Sequence, residues 1–411
     1  MAEYFDKVTD HYLFHLNKDC NNYKVKLEIL SSYETVIGEI IKDLSITAAG
    51  QININYQQLT RRSCSITLIN VDGKYNPNQN RWFWINRKFK LWIGMQSHED
   101  IYWFSQGVYY ATSVNGDGHT ISVEGVDKGG ALDGTLKLNM LEVQHIIEVG
   151  DTISMLIKNT LGMNDGVQIV DARKPLIDNF FDGQTIQQEI SLNANEYLGT
   201  LFTNICDSYG ADIWYDGDGR MNVWRKPAEN YVDGYEKLPV IYHFDDTNAN
   251  YSQSTINYDY DVVNAVTVFT NANVDTSTEG YEDFENVSYT AYNRNPKSPI
   301  NIRAIGVRRM EDAEINYIDT LDKQQMTERC RQYANYLLLK ESLLQNSISF
   351  SSIIVPHLDV NNVVRITDKA KGIDGEKFVV QSITIPLSAD EMQIEATSIN
   401  VLPHGTDMEM G

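Results

Sequence analysis

The sequence predicts a mainly β protein with an α+β insertion: two antiparallel β-barrel-like domains and one small α+β domain, whose strands can interleave. Two observations predict the β domains, namely short runs of alternating polar and apolar residues and the Gly, Asn and Asp turns between them. One observation predicts the insertion, because apolar residues recur at helical spacing in the middle of the chain. A chain of 411 residues is long enough for two or three domains.

The first predicted domain spans residues 1–138. Its clearest strand starts at Cys64, where Ile66 and Leu68 alternate with polar residues. The segment before residue 23 mixes polar and aromatic residues, and we expect a helix or a docking arm there. Further strands are expected over residues 23–30, 51–56, 89–94, 101–113 and 120–126, the last two joined by the turn 115–118.

The second predicted domain spans residues 139–237 and combines helices with a hairpin. One helix is predicted over residues 151–161 and another over 195–209, because the apolar residues of each fall on one face. Gly210 is a typical stop for the second helix. Residues 211–224 predict a hairpin whose two strands meet at a DGDG turn.

The third predicted domain spans residues 238–411 and returns to strands. A long solvated loop is expected over residues 271–301, which are rich in Asn, Ser, Thr and acidic residues. The longest helix is predicted at about 320–344. The other strands expected are 264–270, 301–308, 347–355, 360–366, 377–385 and 392–399.

Charge and composition exclude several classes of function. The formal net charge is −22, so the chain is not expected to hold a nucleic-acid backbone by releasing counterions or to dock on anionic membranes. Charged residues make up 22% and hydrophobic residues 42%, a globular composition that argues against wholesale disorder. The acidity suits plain solubility.

The cysteines and the first residues indicate where the chain is made. Four cysteines so far apart do not form a disulfide scaffold, and we expect buried free thiols that suit a reducing cytoplasm. They are Cys20, Cys64, Cys206 and Cys330. We see neither a signal peptide nor a membrane-spanning apolar run, so a soluble, cytosolic product without membrane insertion is expected.

Motifs for catalysis or metal binding are weak. His11 and His15 have the i, i+4 spacing of a metal-binding pair, but no further ligand motif accompanies them. The DGDG turn resembles the start of a calcium loop and lacks its later acidic ligands, so a plain hairpin turn is preferred. Nucleophile elbows and phosphate loops are missing, and no catalytic residue, metal or cofactor is expected. Glu124 and Asp127 lie at strand ends, which leaves a paired-carboxylate glycosidase open.

One short segment combines basic and aromatic residues. Its members are Arg81, Trp82, Phe83, Trp84, Arg87, Lys88 and Lys90. Such a pattern can bind single-stranded nucleic acid. A solvated barrel edge, or a contact with an acidic neighbouring subunit, explains it better in so acidic a chain.

A series of motifs resembles the start of phage tail-tip hub proteins, the hubs of contractile baseplates and their counterparts in long non-contractile tails. The motifs read NxDGxYxP, WIG, FxxGxY and EGxD, and a later unit of helix, Gly, strand, DGDG and strand recurs in the same proteins. The residues that carry the resemblance are Asn70, Asp72, Gly73, Tyr75, Pro77, Trp92, Gly94, Gly107, Gly125, Asp127 and Gly219. It extends, weakly, over nearly the whole chain. The domains of such hub proteins are often interleaved, so the resemblance implies that strands between residues 240 and 270 complete the first barrel.

The resemblance implies a function and a set of partners. It implies a non-enzymatic structural hub, a homotrimer whose tail-tube-like barrels meet the tail tube or a distal tail protein, with other baseplate or tip proteins as neighbours. It also implies a place at the tail tip of the virion, assembly in the host cytoplasm, and DNA only in transit. The alternatives are a distal adaptor ring, a glycan- or receptor-binding tip module, and a cell-wall hydrolase.

Overall fold

The computed structural model describes most of the chain. The described residues are 8–17, 22–43, 49–56, 58–79, 81–97, 100–136, 145–147, 150, 152–154, 175–185, 190–195, 197, 199, 202, 211–225, 237–246, 250–257, 262–270, 286–296, 298, 300–310, 312–315, 322–341, 346–388 and 390–399.

Strands dominate these residues, which confirms the mainly β prediction. In the first third of the chain they are β1 (Asn22–Leu30), β2 (Val36–Asp43), β3 (Ala49–Asn55), β4 (Arg62–Ile69), β5 (Lys88–Ser97), β6 (Asp100–Gly116) and β7 (Thr120–Asp127). In the middle they are β8 (His145–Ile147), β9 (Leu176–Ile177), β10 (Ile190–Leu192), β11 (Ala211–Tyr215), β12 (Met221–Arg225), β13 (Val240–Asp245), β14 (Ser252–Asn257), β15 (Ala265–Thr270), β16 (Ser288–Tyr292) and β17 (Ala313–Ile315). The last are β18 (Ser347–Ser352), β19 (Val363–Asp368), β20 (Ile373–Pro386) and β21 (Met392–Ser398).

Helices are few within the described residues. The α-helices are α1 (Asp10–Leu16), α2 (Ile302–Ile305) and α3 (Lys323–Glu341), and short 3-10 turns occupy Lys128–Ala131, Asn179–Gly183 and Lys369–Lys371. Helix α3 confirms the helix predicted at about 320–344, whose apolar spacing buries Met326 and Cys330. The helices predicted at 151–161 and 195–209 lie almost entirely outside the described residues.

One 13-stranded sheet contains both predicted β regions. Its main path runs β14-β18-β21-β20-β3-β4-β7-β6-β5-β1-β2, and β13 and β19 branch from β20. The first region contributes the strands from β3 to β2, all antiparallel. Among the described residues, no pairing of β2 with β3 closes this part into a ring.

The two β regions meet where β3 pairs with β20, a pairing that we call the seam. Five residue pairs form it, among them Ile52 with Ile385 and Ile54 with Ile383. These side chains belong to one apolar core that extends from Val25 in β1 to Ile394 in β21. The β regions are therefore continuous, and the domain bounds 1–138, 139–237 and 238–411 remain a proposal.

A separate small unit has its own core. Strand β15 pairs with β16 and β17, and helix α3 packs across them. Val266, Val268 and Met326 are buried in this second core, as is the free thiol of Cys330. Burial raises the pKa of the Cys330 thiol to about 11.

Three predictions about residues 238–308 are wrong. Strands β13 and β14 pair with β19 and β18, and do not complete the first sheet, because β20 already occupies the place beside β3. Residues 301–308 were expected to form a strand, but Asn301 accepts the backbone N–H groups of Arg303 and Ala304 and caps the short helix α2. The loop expected over 271–301 contains strand β16, whereas residues 271–285 lie outside the described residues.

Candidate functional site

A series of tight turns follows β4 and contains five of the predicted motif residues. Asn70 stabilises it, since Asn70 Oδ1 accepts the backbone N–H of Tyr75 at 2.8 Å and Asn70 Nδ2 donates to Asn76 Oδ1 at 2.7 Å. Asp72 Oδ1 accepts the backbone N–H two residues further on. Gly73 supplies a φ of 67°, a left-handed conformation that few residues except glycine adopt easily.

Tyr75 connects these turns to the next aromatic residues. Its buried ring stacks on Trp82 at a centroid distance of 6.4 Å and meets Phe83 edge-on at 6.0 Å. Pro77 is half-buried in the turn between them. Trp82 in turn lies against the backbone of Gly38 in β2, where a Cβ would come within 2.6 Å of its ring. The NxDGxYxP motif therefore shapes a packed loop against the first sheet.

Two motif glycines allow aromatic rings to cover the sheet. A Cβ on Gly94 would lie 2.6 Å from the ring of Trp103, and one on Gly125 would lie 2.8 Å from the ring of Phe89. Any larger residue would push these rings away from strands that they now cover. Both glycines are therefore required by packing.

Trp92 lies in a ladder of alternating charges and rings. Its indole Nε1 donates to Glu28 at 2.8 Å. The ammonium group of Lys90 lies 4.2 Å from its ring centroid, and that of Lys26 lies 4.7 Å away. The motif tryptophan therefore contacts one lysine of its own strand β5 and one of the neighbouring strand β1.

A bulge in β6 carries Gly107. The pairing with β5 skips Gln106, and Gly107 adopts a φ of 145° there. Gln106 Nε2 donates to the carbonyl of Pro356 at 2.8 Å. The backbone carbonyl of Gln106 accepts hydrogen bonds from Tyr109 Oη at 2.9 Å and from Arg62 Nη1 at 3.1 Å. The bulge therefore links the first sheet to the turn before β19.

Asp127 is a buried carboxyl at the end of β7. Its oxygens accept the backbone N–H groups of Arg62 and Gly129, both at 2.9 Å. Burial raises the pKa of Asp127 to about 7, although the nearby Arg62 guanidinium acts in the opposite direction. That guanidinium pairs with Asp359 instead, across the two β regions.

The β11–β12 hairpin, predicted at 211–224, docks against the first sheet through its DGDG turn. Asp216 Oδ1 accepts the backbone N–H groups of Asp218 and Arg220 at 3.0 and 2.9 Å. Gly219 has a φ of 74°, and a Cβ there would come within 2.6 Å of Val108. We call the contact of this hairpin with β5, β6 and the segment after β7, together with the ion pairs that Lys88 of β5 and Lys128 of that segment make with Glu34, the hairpin junction.

Ion pairs dominate the hairpin junction. Glu34 Oε1 accepts from Lys88 Nζ at 3.0 Å and from Lys128 Nζ at 2.9 Å, and Lys128 is fully buried. Burial would raise the pKa of Glu34, but the two ammonium groups outweigh it and lower that pKa below its ordinary value. Lys90 Nζ pairs with Asp218 of the turn at 2.7 Å.

A buried arginine extends the junction along β11. The Arg61 guanidinium lies between the rings of Tyr56 and Trp214, 4.7 Å from each centroid. Asp212 lies 3.8 Å from this guanidinium and accepts the hydroxyl of Tyr56 at 2.5 Å. Asp127 and Gly219, although far apart in sequence, both lie next to Lys128 of the junction.

The structure changes the interpretation of the basic and aromatic segment. Lys88 and Lys90 point inward and are paired, so they offer no charge to a nucleic acid, and they form no solvated edge either. The carboxylates of the DGDG turn are taken up by hydrogen bonds and by Lys90, which favours the plain turn over a calcium loop. No group of three potential metal ligands occurs among the described residues.

An apolar surface remains exposed at the edge of the first sheet. Among the described strands β2 pairs only with β1, and Val36, Ile37 and Ile41 on it are about half exposed. Trp84 and Ile85 are exposed as well. Apolar edge strands of this kind are usually covered in natural proteins. None of the described helices is both long and apolar enough to cross a bilayer.

The charge pairings of the junction, and the pair of Arg62 with Asp359, were missed in the sequence. Only Arg62 carried a signal, because it has the same parity as Cys64, Ile66 and Leu68 and so faces inward with them. Glu34 and Lys128 are 94 residues apart, and no local pattern connects them.

Similar proteins are found by comparing the fold. The tail protein from Neisseria meningitidis MC58 has a TM-score of 0.56 at 15% identity, over 94% of this chain and 99% of its own. The 43 kDa tail protein of prophage MuSo2 from Shewanella oneidensis has a TM-score of 0.54 at 11% identity, over 94% and 100%. A chain of the half-lidded Francisella PdpA–VgrG complex has a TM-score of 0.52 at 10% identity, over 94% and 60%.

No protein-family model matches the sequence, and no curated protein is significantly similar to it. The structural matches nevertheless cover almost the whole of both tail proteins. The chain therefore has the fold of these tail proteins, and the resemblance drawn from its motifs is confirmed at the level of the fold.

Proposed function

We propose that the chain is a structural, non-enzymatic protein of a phage tail or a tail-like injection particle. The observation that carries this proposal is the end-to-end match to two tail proteins of similar length. A shared local motif would leave room for another activity elsewhere in the chain, whereas this match leaves little of it unaligned. The proposed location is the tail tip of the virion, after assembly in the host cytoplasm.

Within the tail, the proposed role is that of a homotrimeric hub that joins the tail tube or a distal tail protein to the other tip proteins. Open strand edges support assembly, because β2 and β14 lie at the two ends of the sheet path. The exposed apolar side chains of β2 lose contact with water when a second copy covers them. The motif residues are proposed to act structurally, by shaping the loop and the hairpin junction.

Imaging of the assembled particle with this chain labelled tests the location, and native mass spectrometry of the chain tests the copy number. We expect three copies at the tip. A stable ring of six would contradict the hub and indicate the distal adaptor ring. A label on the outer fibres would indicate a receptor-binding module.

A pair of matched variants tests the role of β2. Ile41→Lys places a charge on the exposed apolar edge and should prevent assembly while the monomer stays folded. Ile305→Lys places the same charge on helix α2, at a residue of similar exposure, and should assemble normally. Equal assembly of both variants would show that the β2 edge is not an interface.

The trimer is further proposed to form part of the path along which DNA leaves the particle. A net charge of −22 supports this, because a basic wall would retain DNA, which carries about one negative charge per ~1.7 Å. Lysines introduced at acidic positions of the inner wall should slow DNA ejection. Unchanged ejection would leave solubility as the reason for the acidity.

A further inference from the structure

Two histidines stand one helical turn apart on α1. His11 Nε2 and His15 Nε2 lie 3.2 Å from each other, with ring centroids 4.5 Å apart. His11 is exposed and His15 is half-buried. No step in the proposed structural role uses this pair.

The separation of the two nitrogens fits a shared metal ion. With metal–nitrogen bonds of about 2.0–2.1 Å, an Nε2 separation of 3.2 Å corresponds to an N–metal–N angle of about 100°. This angle lies between the ligand–metal–ligand angles of octahedral and of tetrahedral coordination. In the metal-free structure one Nε2–H donates to the other Nε2, so the donating ring must change tautomer before both lone pairs can face a common metal ion.

Neighbouring residues hold His11 in position. His11 Nδ1 is hydrogen-bonded to Tyr102 Oη at 2.8 Å. When Nδ1–H donates to this oxygen, the lone pair of Nε2 remains available to a metal, as in metal sites where the second ring nitrogen is held by an outer partner. Tyr102 comes from β6, so the hydrogen bond ties the helix to the main sheet.

The helix that carries both imidazoles is itself anchored. Tyr12 and Leu16, on the adjacent inward face of the helix, are fully buried, and Tyr12 Oη is hydrogen-bonded to His357 Nδ1 at 2.8 Å. Thr9 caps the first turn by accepting the backbone N–H of Tyr12. A helix of seven residues is not stable alone, so this packing keeps the two imidazoles one turn apart before any ligand arrives.

We propose that His11 and His15 form a bidentate site for a divalent transition-metal ion, with water completing the coordination. Imidazole nitrogen suits Cu²⁺, Ni²⁺ and Zn²⁺, whereas Mg²⁺ and Ca²⁺ prefer oxygen ligands. The Irving–Williams order makes Cu²⁺ the tightest of these ions. The negative net charge of the chain also raises the local concentration of cations.

Isothermal titration of the metal-free full chain with each ion in a non-coordinating buffer tests the proposal. We expect one Cu²⁺ per chain, weaker binding of Ni²⁺ and Zn²⁺, and no heat with Mg²⁺. His11→Ala and His15→Ala each remove a ligand, so each should weaken Cu²⁺ binding by on the order of tenfold or more. Loss of a group that only hydrogen-bonds to a metal ligand already costs ~10–100-fold in metal affinity. His119→Ala, which removes an exposed histidine elsewhere, should bind like the unmodified chain.

Two results would overturn the proposal. One is Cu²⁺ binding that is equally strong in His11→Ala, His15→Ala and the unmodified chain. The other is the absence of binding to a chain whose circular dichroism shows that it is folded. Tyr102→Phe adds a separate test, because it leaves both ligands in place and should weaken binding less than the loss of either histidine.

Discussion

The seam and the hairpin junction both join parts of the chain that are far apart in sequence, and they do so in opposite ways. At the seam, backbone pairing brings buried isoleucines of β3 and β20 into one apolar core. At the hairpin junction, buried ammonium and carboxylate groups meet around Glu34 and Asp218. The seam depends on area removed from water, whereas the junction depends on each charge finding its partner.

The difference shows in what each contact tolerates. An apolar contact loses stability roughly in proportion to the volume removed. A buried charge that loses its partner destabilises the fold by much more than the pair contributed, because the remaining charge stays out of water. The hairpin junction should therefore be the more sensitive of the two to conservative changes.

The largest effect is expected from Glu34→Gln. This change keeps the size of the side chain but leaves Lys88 and Lys128 facing each other without their shared carboxylate. Breaking a buried ion pair costs about 3–5 kcal/mol, and we expect a loss of this order in the free energy of unfolding. Urea denaturation measures it.

Glu328→Gln is the matched control for this change. Glu328 pairs with Arg331 on the solvent-facing side of α3, and such surface pairs contribute about 0–1 kcal/mol. A comparable loss in both variants would mean that burial does not distinguish the junction.

The next effect, at the seam, is expected from Ile383→Ala. Ile383 is buried and pairs with Ile54 across the seam. Truncation of a buried isoleucine to alanine costs about 2–5 kcal/mol. Ile41→Ala, on the exposed edge, should cost little in the monomer. If Ile383→Ala destabilises no more than Ile41→Ala, the seam does not hold the two regions together.

A smaller effect is expected from Gly219→Ala. Its Cβ would both occupy a left-handed conformation and come within 2.6 Å of Val108, so we expect a loss of about 2–4 kcal/mol. Gly118→Ala separates the two causes, because Gly118 has a φ of 92° with nothing near its Cβ. The loss in unfolding free energy should be larger in the Gly219 variant, which should also show faster hydrogen exchange at residues 211–225. An equal loss in both variants would show that backbone strain suffices.

A pH dependence is expected from Asp127. Its pKa is raised by burial to about 7 in the folded chain, against about 3.9 in an unfolded one, so the neutral carboxyl stabilises the fold below pH ~4. This contribution is lost as the pH rises toward 7. The unfolding free energy of the unmodified chain minus that of Asp127→Asn should therefore fall as the pH rises over that range. A rise in this quantity with pH would show that Asp127 stays ionised beside Arg62.

The sequence predicted well what local periodicity determines. Strand β4 was found because its inward residues repeat every second position, and α3 because Met326 and Cys330 lie one turn apart. The sequence predicts a strand where α2 lies, because four residues are too few to show a helical period and the cap at Asn301 is not apparent from periodicity. The polar residues on either side of β16 conceal this strand in the sequence.

The charged junction was beyond the reach of such reasoning. Its motif glycines could be identified by resemblance. The side chains that require glycine there come from other strands, as Val108 does at Gly219. Lys88 and Lys90 looked like a solvated basic patch because nothing local indicates that Glu34 and Asp218 are their partners. Pairing between distant charges becomes visible only once the sheet brings them together.

The seam also has a consequence for how the chain is made. Thr384 in β20 and Asn53 in β3 are hydrogen-bonded yet 331 residues apart. A ribosome that adds about 5–20 residues per second needs roughly 15–65 s to cover that interval. During this time β3 has been synthesised but the strand that covers its edge has not, so a nascent copy exposes a pairing site to its neighbours on the same polysome.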